Sequence, residues 1–147
     1  MKRCRLTRVC SVLLLVALLF SITVPFASAY SDVTRSAFPI NYVTDNGLMN
    51  GTSSTTFEPN TVISRAMIVT TLHRLAGSPA SYASVNFTDV STSAWYYNAV
   101  RWAVKYGITT GATTTTFEPD STVTREQAVT FFYRYLQKYR GVTPIVD

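Results

Sequence analysis

Two arginines, Arg65 and Arg125, occupy matching places in two related segments of this 147-residue chain. Each follows by one residue a Ser or Thr that suits the N-cap of a helix. A cation there meets the positive end of the helix dipole, at a cost of about 0.3–1 kcal/mol, and its repetition suggests that an anion compensates. Free backbone N–H groups and a guanidinium fork would together bind a carboxylate or a phosphate. An ion pair within the protein is the alternative, and spacing alone does not decide between the two. Its candidate partners are Glu58, Glu118, Asp32 and Asp89.

Other residue types that could do chemistry are scarce. Both cysteines, Cys4 and Cys10, lie near the N-terminus, and His73 is the single histidine. No calcium loop, GxSxG elbow or phosphate-binding glycine loop occurs. Glu58 and Glu118 could be considered as a carboxylate pair for glycoside hydrolysis, but they hold the same position in two copies of one turn, which indicates a scaffold role. The sequence therefore predicts no catalysis, no cofactor and no metal site.

Two tryptophans, Trp95 and Trp102, offer aromatic faces that suit the C–H surface of a sugar ring. They recur at helical spacing with Ala99, Ala103 and Tyr106. A stripe at this spacing is typical of the buried face of a helix, so we expect one or both tryptophans in the core.

These residues belong to a unit that is present twice. The segment from Gly47 to Ala66 returns from Gly107 to Glu126, with 8 of 20 positions identical and seven more conservatively substituted. A chain that spends most of its length on one repeated unit is usually a stacked module and not a single catalytic domain.

The first 29 residues have the pattern of an export signal. Four basic residues precede an apolar run, and Ala27-Ser28-Ala29 supplies a small-x-small cleavage site. The run is too short for a comfortable membrane span, which needs about 20 apolar residues. Cleavage would remove both cysteines and four of the 13 basic residues, leaving nine basic against eight acidic residues and a net charge of +1. The mature chain, from Tyr30 to Asp147, would form no disulfide, and its charge is no argument for nucleic-acid binding.

Hydrophobic spacing predicts two helices in the second copy. The run Ser91-Thr92-Ser93 offers N-caps for a helix that includes Trp95, and Gly107 follows its end as a C′ residue should. Thr124 and Gln127 form a capping box for the next helix.

The first copy follows the same plan with a deletion. Three residues are missing from its first helix, which also contains Pro39, so we expect a short helix of about Ile40 to Asn46. Ser64 caps the second helix, and Gly77 ends it. These features divide the chain into a signal peptide (1–29), repeat 1 (30–77), a linker (78–86), repeat 2 (87–140) and a tail (141–147).

The combined pattern resembles the S-layer homology (SLH) domain. It consists of F-x-D-V, an aromatic first helix, G-[IL]-x-x-G, a Thr/Ser loop, F-x-P and [VI]-[ST]-R at the start of a second helix. In copy two it is carried by Phe87-Thr88-Asp89-Val90, Trp95, Ala99, Ala103, Gly107, Gly111, Phe117, Pro119 and Val123-Thr124-Arg125-Glu126-Gln127-Ala128. In copy one it is carried by Asp32-Val33, Gly47, Gly51, Phe57, Pro59 and Ile63-Ser64-Arg65-Ala66.

The resemblance implies an all-α fold, in which each repeat gives one helix to a central bundle and another to a prong. It also implies non-covalent attachment to the bacterial cell surface. SLH modules bind secondary cell-wall polymers, glycans linked to peptidoglycan that commonly carry pyruvate-ketal sugars, in grooves between repeats. The resemblance assigns recognition of the acidic group to Arg65 and Arg125. The other residues that it places in or around the grooves are Asp32, Asp89, Trp95, Gly47, Gly51, Gly107 and Gly111.

Copy one departs from the family pattern. Phe38 replaces its Trp, and Met67 stands where Glu is usual. Family modules usually come in threes, so a third unit could come from another SLH-bearing chain or from a second copy of this one, or be absent if the gene is truncated near Gly141-Val142-Thr143-Pro144. The sequence thus predicts a secreted, non-catalytic module that binds a wall polymer, with a protein–protein assembly module as the alternative.

Overall fold

The computed structural model describes residues 30–33 and 37–143 of the chain. The predicted signal peptide and residues 144–147 of the predicted tail lie outside this part. Within it there are four α-helices: α1 (Ala37–Asp45), α2 (Arg65–Leu75), α3 (Tyr97–Lys105) and α4 (Arg125–Arg134). One π-helical turn, Tyr135–Tyr139, extends α4. The predicted all-α class is confirmed, since the described residues contain no strand and only an isolated bridge between Ser64 and Thr122.

The caps of the second helix in each repeat are as predicted. Ser64 Oγ accepts the N–H of Met67 at 3.3 Å. Thr124 Oγ1 accepts the N–H of Gln127 at 3.2 Å, while Gln127 Oε1 accepts the N–H of Thr124 at 3.1 Å, which completes the capping box. These bonds fix the first turn of α2 and of α4, and therefore the places of Arg65 and Arg125.

The predicted starts of the two first helices are wrong. Helix α1 begins at Ala37, before Pro39, because a proline in the first turn gives up an N–H that has no acceptor within the helix. Helix α3 begins only at Tyr97. Ser91 Oγ instead accepts the N–H of Ser93 at 3.3 Å and closes a local turn, which leaves Trp95 in the turn before the helix.

The core lies between the repeats. Helix α2 of repeat 1 packs along α3 of repeat 2 and also touches α4. The largest fully buried side chains of the core are Trp102, Phe117, Leu72, Ile108, Val69 and Val100. Trp102 is therefore the tryptophan that belongs to the core. It makes edge or tilted ring contacts with four aromatic neighbours, namely His73, Tyr106, Tyr135 and Tyr139.

Candidate functional site

An aspartate holds the F-E-P turn of each repeat. The carboxylate of Asp89 accepts the N–H groups of Phe117 (2.9 Å) and Glu118 (2.7 Å). This pair of bonds supports Glu118 in a left-handed conformation (φ 58°), which is costly for a residue with a Cβ. The carboxylate is thus used to build the turn.

The same arrangement recurs in repeat 1, where Asp32 accepts the N–H groups of Phe57 (2.9 Å) and Glu58 (2.6 Å). The hydrogen bond from Phe57 lowers the pKa of Asp32 below its ordinary value, because it stabilises the ionised form. Neither aspartate lines the two clefts described below.

Gly51 and Gly111 each allow an aromatic ring to lie close to the backbone of the Thr/Ser loop, residues 52–56 in repeat 1 and residues 112–116 in repeat 2. A Cβ on Gly111 would lie 2.6 Å from the ring of Phe87, and one on Gly51 would strike the ring of Tyr30. Gly51 also donates its N–H to the hydroxyl of Tyr30 at 3.0 Å. Only glycine permits this close approach of ring and backbone. Gly47 and Gly107 have a different task, as they reverse the chain after α1 and α3 at φ 65° and 64°.

The two repeats are joined by backbone hydrogen bonds at the start of α2. The N–H of Arg65 donates to the carbonyl of Ser121 (3.0 Å), and the N–H of Ala66 donates to that of Pro119 (2.9 Å). In the opposite sense, the N–H of Val123 donates to the carbonyl of Ile63 (3.1 Å). We call this contact, between residues 63–66 and residues 117–123, the repeat joint.

The side chain of Arg65 completes the repeat joint. Its guanidinium carbon lies 5.1 Å from the ring centre of Phe117 and 5.3 Å from that of Phe131, and its Nε donates to the carbonyl of Phe117 at 2.8 Å. Only 6 % of its surface is exposed. Burial lowers the pKa of Arg65 below its ordinary value, while the negative charges of Glu118 and Asp89 oppose that change. An arginine stays protonated in such a place because its ordinary pKa is so high.

The structure corrects two parts of the sequence-based explanations of Arg65, namely the free N–H groups and the ion pair. The N–H groups at the start of α2 are not free for an anion, because the carbonyls of Ser121 and Pro119 take them. An ion pair is not formed either: within residues 30–33 and 37–143, Arg65 bonds a carbonyl and faces two rings, and the charges of Glu118 and Asp89 act from a distance.

Arg125 has the opposite surroundings although it holds the same sequence position. Its side chain is exposed and makes no hydrogen bond, ion pair or ring contact with the described residues. The N–H groups of Arg125 and Glu126 likewise have no acceptor in this part of the chain. The first N–H groups of α4 are therefore available to an acceptor, whereas those of α2 already donate to repeat 2.

A cleft of about 350 Å³, here called cleft 1, opens beside the repeat joint. Two guanidinium groups and one carboxylate border it, so the surrounding charge is positive. Arg65 comes from repeat 1, and every other lining residue comes from repeat 2. The lining residues are Arg65, Thr109, Gly111, Thr124, Glu126, Gln127, Thr130, Phe131 and Arg134.

A second cleft of about 210 Å³, here called cleft 2, occupies the equivalent place on repeat 1. Trp95 reaches it from repeat 2, with 63 % of its surface exposed. Arg74 is the one charged residue of its lining. The buried hydroxyl of Thr70 also lines it, without a hydrogen-bond partner among the described residues. The full lining is Met49, Asn50, Gly51, Met67, Thr70, Thr71, Arg74 and Trp95.

The clefts are two versions of one site. Six lining positions of cleft 2 recur sixty residues later in cleft 1: 49 and 109, 51 and 111, 67 and 127, 70 and 130, 71 and 131, 74 and 134. Of the predicted site residues, Arg65 and Gly111 meet in cleft 1, and Gly51 and Trp95 meet in cleft 2. The predicted residues that line neither cleft are Asp32, Asp89, Gly47, Gly107 and Arg125.

Sequence reasoning missed two pairs of cleft residues. Thr70 and Arg74 face cleft 2, and their counterparts Thr130 and Arg134 face cleft 1. The signal was available, because both types are identical at an offset of sixty and lie four residues apart, on one side of a helix. Such a polar pair, identical in both copies at the same place on the second helix of each repeat, indicates a shared surface site.

Among residues 30–33 and 37–143, none of the helices has the length and apolar composition that a membrane span requires. The same residues also contain no group of three or more His, Cys, Asp or Glu side chains that could hold a metal ion. Glu126 is the one carboxylate in the linings of clefts 1 and 2, so neither cleft offers the pair of acids that glycoside hydrolysis ordinarily uses.

Comparison with known proteins identifies the repeats. The family model of the S-layer homology domain matches residues 29–66 and 86–129. An endoglucanase of Bacillus sp. (strain KSM-635) is 33% identical over 144 residues, and the surface-layer 125 kDa protein of Lysinibacillus sphaericus is 34% identical over 120 residues. A cellulosome-anchoring protein of Acetivibrio thermocellus is 29% identical over 86 residues.

These matches cover much of this chain and little of the relatives. They span 86%, 76% and 56% of the chain, against 15%, 10% and 19% of the endoglucanase, the surface-layer protein and the anchoring protein. The similarity to the endoglucanase is thus confined to a small part of that protein.

Proposed function

The chain belongs to the S-layer homology family, and on that premise we propose that it is a non-catalytic module that attaches to the bacterial cell surface by binding an acidic wall polymer. The surface-layer and cellulosome-anchoring relatives support the cell-surface role. The chemistry of the clefts supports this class of polymer. Guanidinium groups favour carboxylate or phosphate, and an exposed indole beside hydroxyl and amide groups favours a sugar ring.

The observation that carries the proposal is the position of Arg65. Its guanidinium is fixed by Phe117 and Phe131 before any ligand arrives, and it borders a cleft that also contains Arg134. A cation held in this way loses little conformational entropy on binding, so more of the interaction energy appears as affinity. A pyruvate ketal on a sugar would supply a carboxylate of suitable size for cleft 1.

In cleft 2 the charge comes from Arg74, and Trp95 supplies the aromatic face. The hydroxyl of Thr70 has no hydrogen-bond partner among the described residues, which supports a polar ligand there, because a buried hydroxyl without a partner costs free energy that a ligand hydroxyl or water can recover. Wall binding through Arg125, Asp32 and Asp89 stays a prediction, since none of them borders either cleft.

The test is sedimentation with purified cell walls, using intact walls, walls stripped of the acidic polymer, and walls treated with mild acid to remove pyruvate ketals. We expect binding to intact walls only. Arg134→Gln should lower the affinity about tenfold to a hundredfold, the loss of one charge-assisted hydrogen bond. Arg140→Gln is the matched control, because it removes the same charge from an exposed residue outside both clefts. Equal binding to stripped walls, or equal losses in the two variants, would contradict the proposal.

A further inference from the structure

We propose that two copies of this chain associate head to tail, by forming between repeat 2 of one copy and repeat 1 of the next the same joint that connects the repeats within the chain. In each copy, repeat 2 exposes the surfaces that correspond to those by which repeat 1 contacts repeat 2 within the chain. Repeat 1 exposes the surfaces that correspond to those of repeat 2 in the same contact. The inference does not depend on the wall-polymer proposal, because it rests on the exposed surfaces of α1 and α4 and on a comparison of each repeat with the other.

The first of these exposed surfaces is the apolar face of α4. In α2 the equivalent face is covered by α3, and Val69 and Leu72 on it are fully buried. Their counterparts on α4, Val129 and Phe132, are 67 % and 46 % exposed. Since α2 and α4 have the same place in their repeats, α4 presents the surface on which the first helix of a following repeat would pack.

The second of these exposed surfaces is the outer face of α1. In the chain, Trp102 of α3 is fully buried, with its ring 5.3 Å from that of His73 on α2. Sixty residues before Trp102 stands Tyr42 on α1, which is 58 % exposed. Sixty residues after His73 stands Tyr133 on α4, which is 48 % exposed. Tyr42 of one copy and Tyr133 of another would therefore form the counterpart of the Trp102–His73 contact.

The backbone groups that correspond to those of the repeat joint lack partners among the described residues, with acceptors on repeat 1 and donors on repeat 2. The carbonyls of Pro59 and Thr61, counterparts of those that accept from α2, accept no hydrogen bond from the described residues. On repeat 2, the N–H groups of Arg125 and Glu126 have no acceptor within residues 30–33 and 37–143. A groove of about 120 Å³ runs beside Phe57, Pro59 and Ile63, where the equivalent surface of repeat 2 holds Arg65.

Charge favours the same pairing. Arg125 is an exposed cation, and the groove on repeat 1 includes Glu58. Within the chain, Glu118 acts on Arg65 from the equivalent position. Once docked, Arg125 of one copy would border cleft 2 of the next, as Arg65 borders cleft 1.

Two differences make the contact between copies weaker than the internal joint. Thr71 replaces Phe131, so the guanidinium of Arg125 would face one ring instead of two. Glu126 replaces Ala66, which is fully buried in the internal joint. We therefore expect concentration-dependent association. Because the two halves differ, the contact is heterologous, and copies can add in a row unless the rotation closes a ring.

The test is sedimentation velocity on the purified chain and on its Tyr42→Glu and Tyr133→Glu variants. Both positions are exposed, so circular dichroism should report unchanged folding. The parent should associate as its concentration rises, and each variant alone should be monomeric. An equimolar mixture of the variants should form a 1:1 dimer and nothing larger, because one intact joint remains possible between them.

Several outcomes would overturn the inference. One is a parent that stays monomeric up to about 1 mM, which limits any association to less than about 4 kcal/mol. A second is a variant that associates as the parent does. The third is a mixture that stays monomeric, which would indicate a contact of like faces or a different partner.

Discussion

Arg65 Nε donates a 2.8 Å hydrogen bond to the carbonyl oxygen of Phe117, which lies 52 residues further along the chain. The same guanidinium borders cleft 1. One side chain thus connects the repeats and contributes the charge that an acidic ligand would meet. The position of that charge is set by the fold, and removing it should affect stability as well as binding.

Arg65→Lys should lower the free energy of unfolding by about 1.5–3 kcal/mol, since lysine keeps the charge but lacks the Nε–H donor and the planar group between two rings. Urea unfolding monitored by circular dichroism measures the change. Arg125→Lys is the matched control at the equivalent position, and its exposed side chain predicts a change within about 0.5 kcal/mol. Equal effects of the two substitutions would show that the repeat joint does not depend on Arg65.

Acid should destabilise repeat 1 through Asp32. The N–H of Phe57 lowers the pKa of Asp32 below its ordinary value of 3.8, so the folded state binds a proton less readily than the unfolded state. This contribution to stability is complete above pH 3.8 and is lost as the pH falls through the folded-state pKa.

Asp32→Asn should therefore flatten the loss of stability below pH 3.8, measured as urea midpoints from neutral to acidic pH. Asp45→Asn is the control, because it removes a carboxylate that makes no hydrogen bond within the described residues. If the curve of Asp32→Asn runs parallel to that of the parent, the hydrogen bonds to the F-E-P turn do not contribute to acid sensitivity.

The sequence predicted what local chemistry controls. The capping box at Thr124 and Gln127 follows from residue types three positions apart, and the turn at Gly107 follows from a conformation that glycine favours. It left open what packing decides, since it predicted that one or both tryptophans lie in the core without saying which. Trp95 and Trp102 have the same helical spacing, yet one is exposed and the other buried, because α2 and the π-helical turn cover only Trp102.

The candidate site shows the same limit more sharply. Arg65 and Arg125 have equivalent neighbours in sequence, but one is buried in a joint and the other is exposed. The difference arises because repeat 2 follows repeat 1 and packs on it, whereas nothing in the described residues packs on the start of α4 in the same way. No pattern within twenty residues of either arginine contains that information.

Replacing Trp95 should weaken ligand binding without affecting the stability of the fold. Because its indole is 63 % exposed in cleft 2, Trp95→Ala should change the free energy of unfolding by less than about 0.5 kcal/mol and lower wall affinity about threefold to tenfold. Tyr82→Ala is the control, an exposed aromatic residue that lines neither cleft. Unchanged affinity in Trp95→Ala would remove cleft 2 from the proposed binding surface.

Gly111→Ala should be costly because of space as well as conformation. A Cβ there would lie 2.6 Å from the ring of Phe87 and 2.8 Å from the carbonyl of Thr116, at φ 95°. Gly141→Ala has the left-handed conformation (φ 68°) with open space, and its expected cost is about 1–2 kcal/mol. Thermal unfolding should rank Gly111→Ala as clearly the less stable, and a reversed order would mean that the Thr/Ser loop yields to the added methyl group.

Glu126→Ala should tighten association between copies. In the internal joint the equivalent residue is Ala66, which is fully buried while its N–H donates to the carbonyl of Pro119. A glutamate in that place must carry its charge into the contact, and desolvating an unpaired carboxylate is unfavourable. Sedimentation velocity without polymer should show dimers at a concentration at least tenfold lower than for the parent. Glu126→Gln separates charge from size, and we expect it to fall between the two. An Ala variant that associates more weakly than the parent would mean that Glu126 helps to hold the copies together, and the head-to-tail joint would then need a different geometry from the internal one.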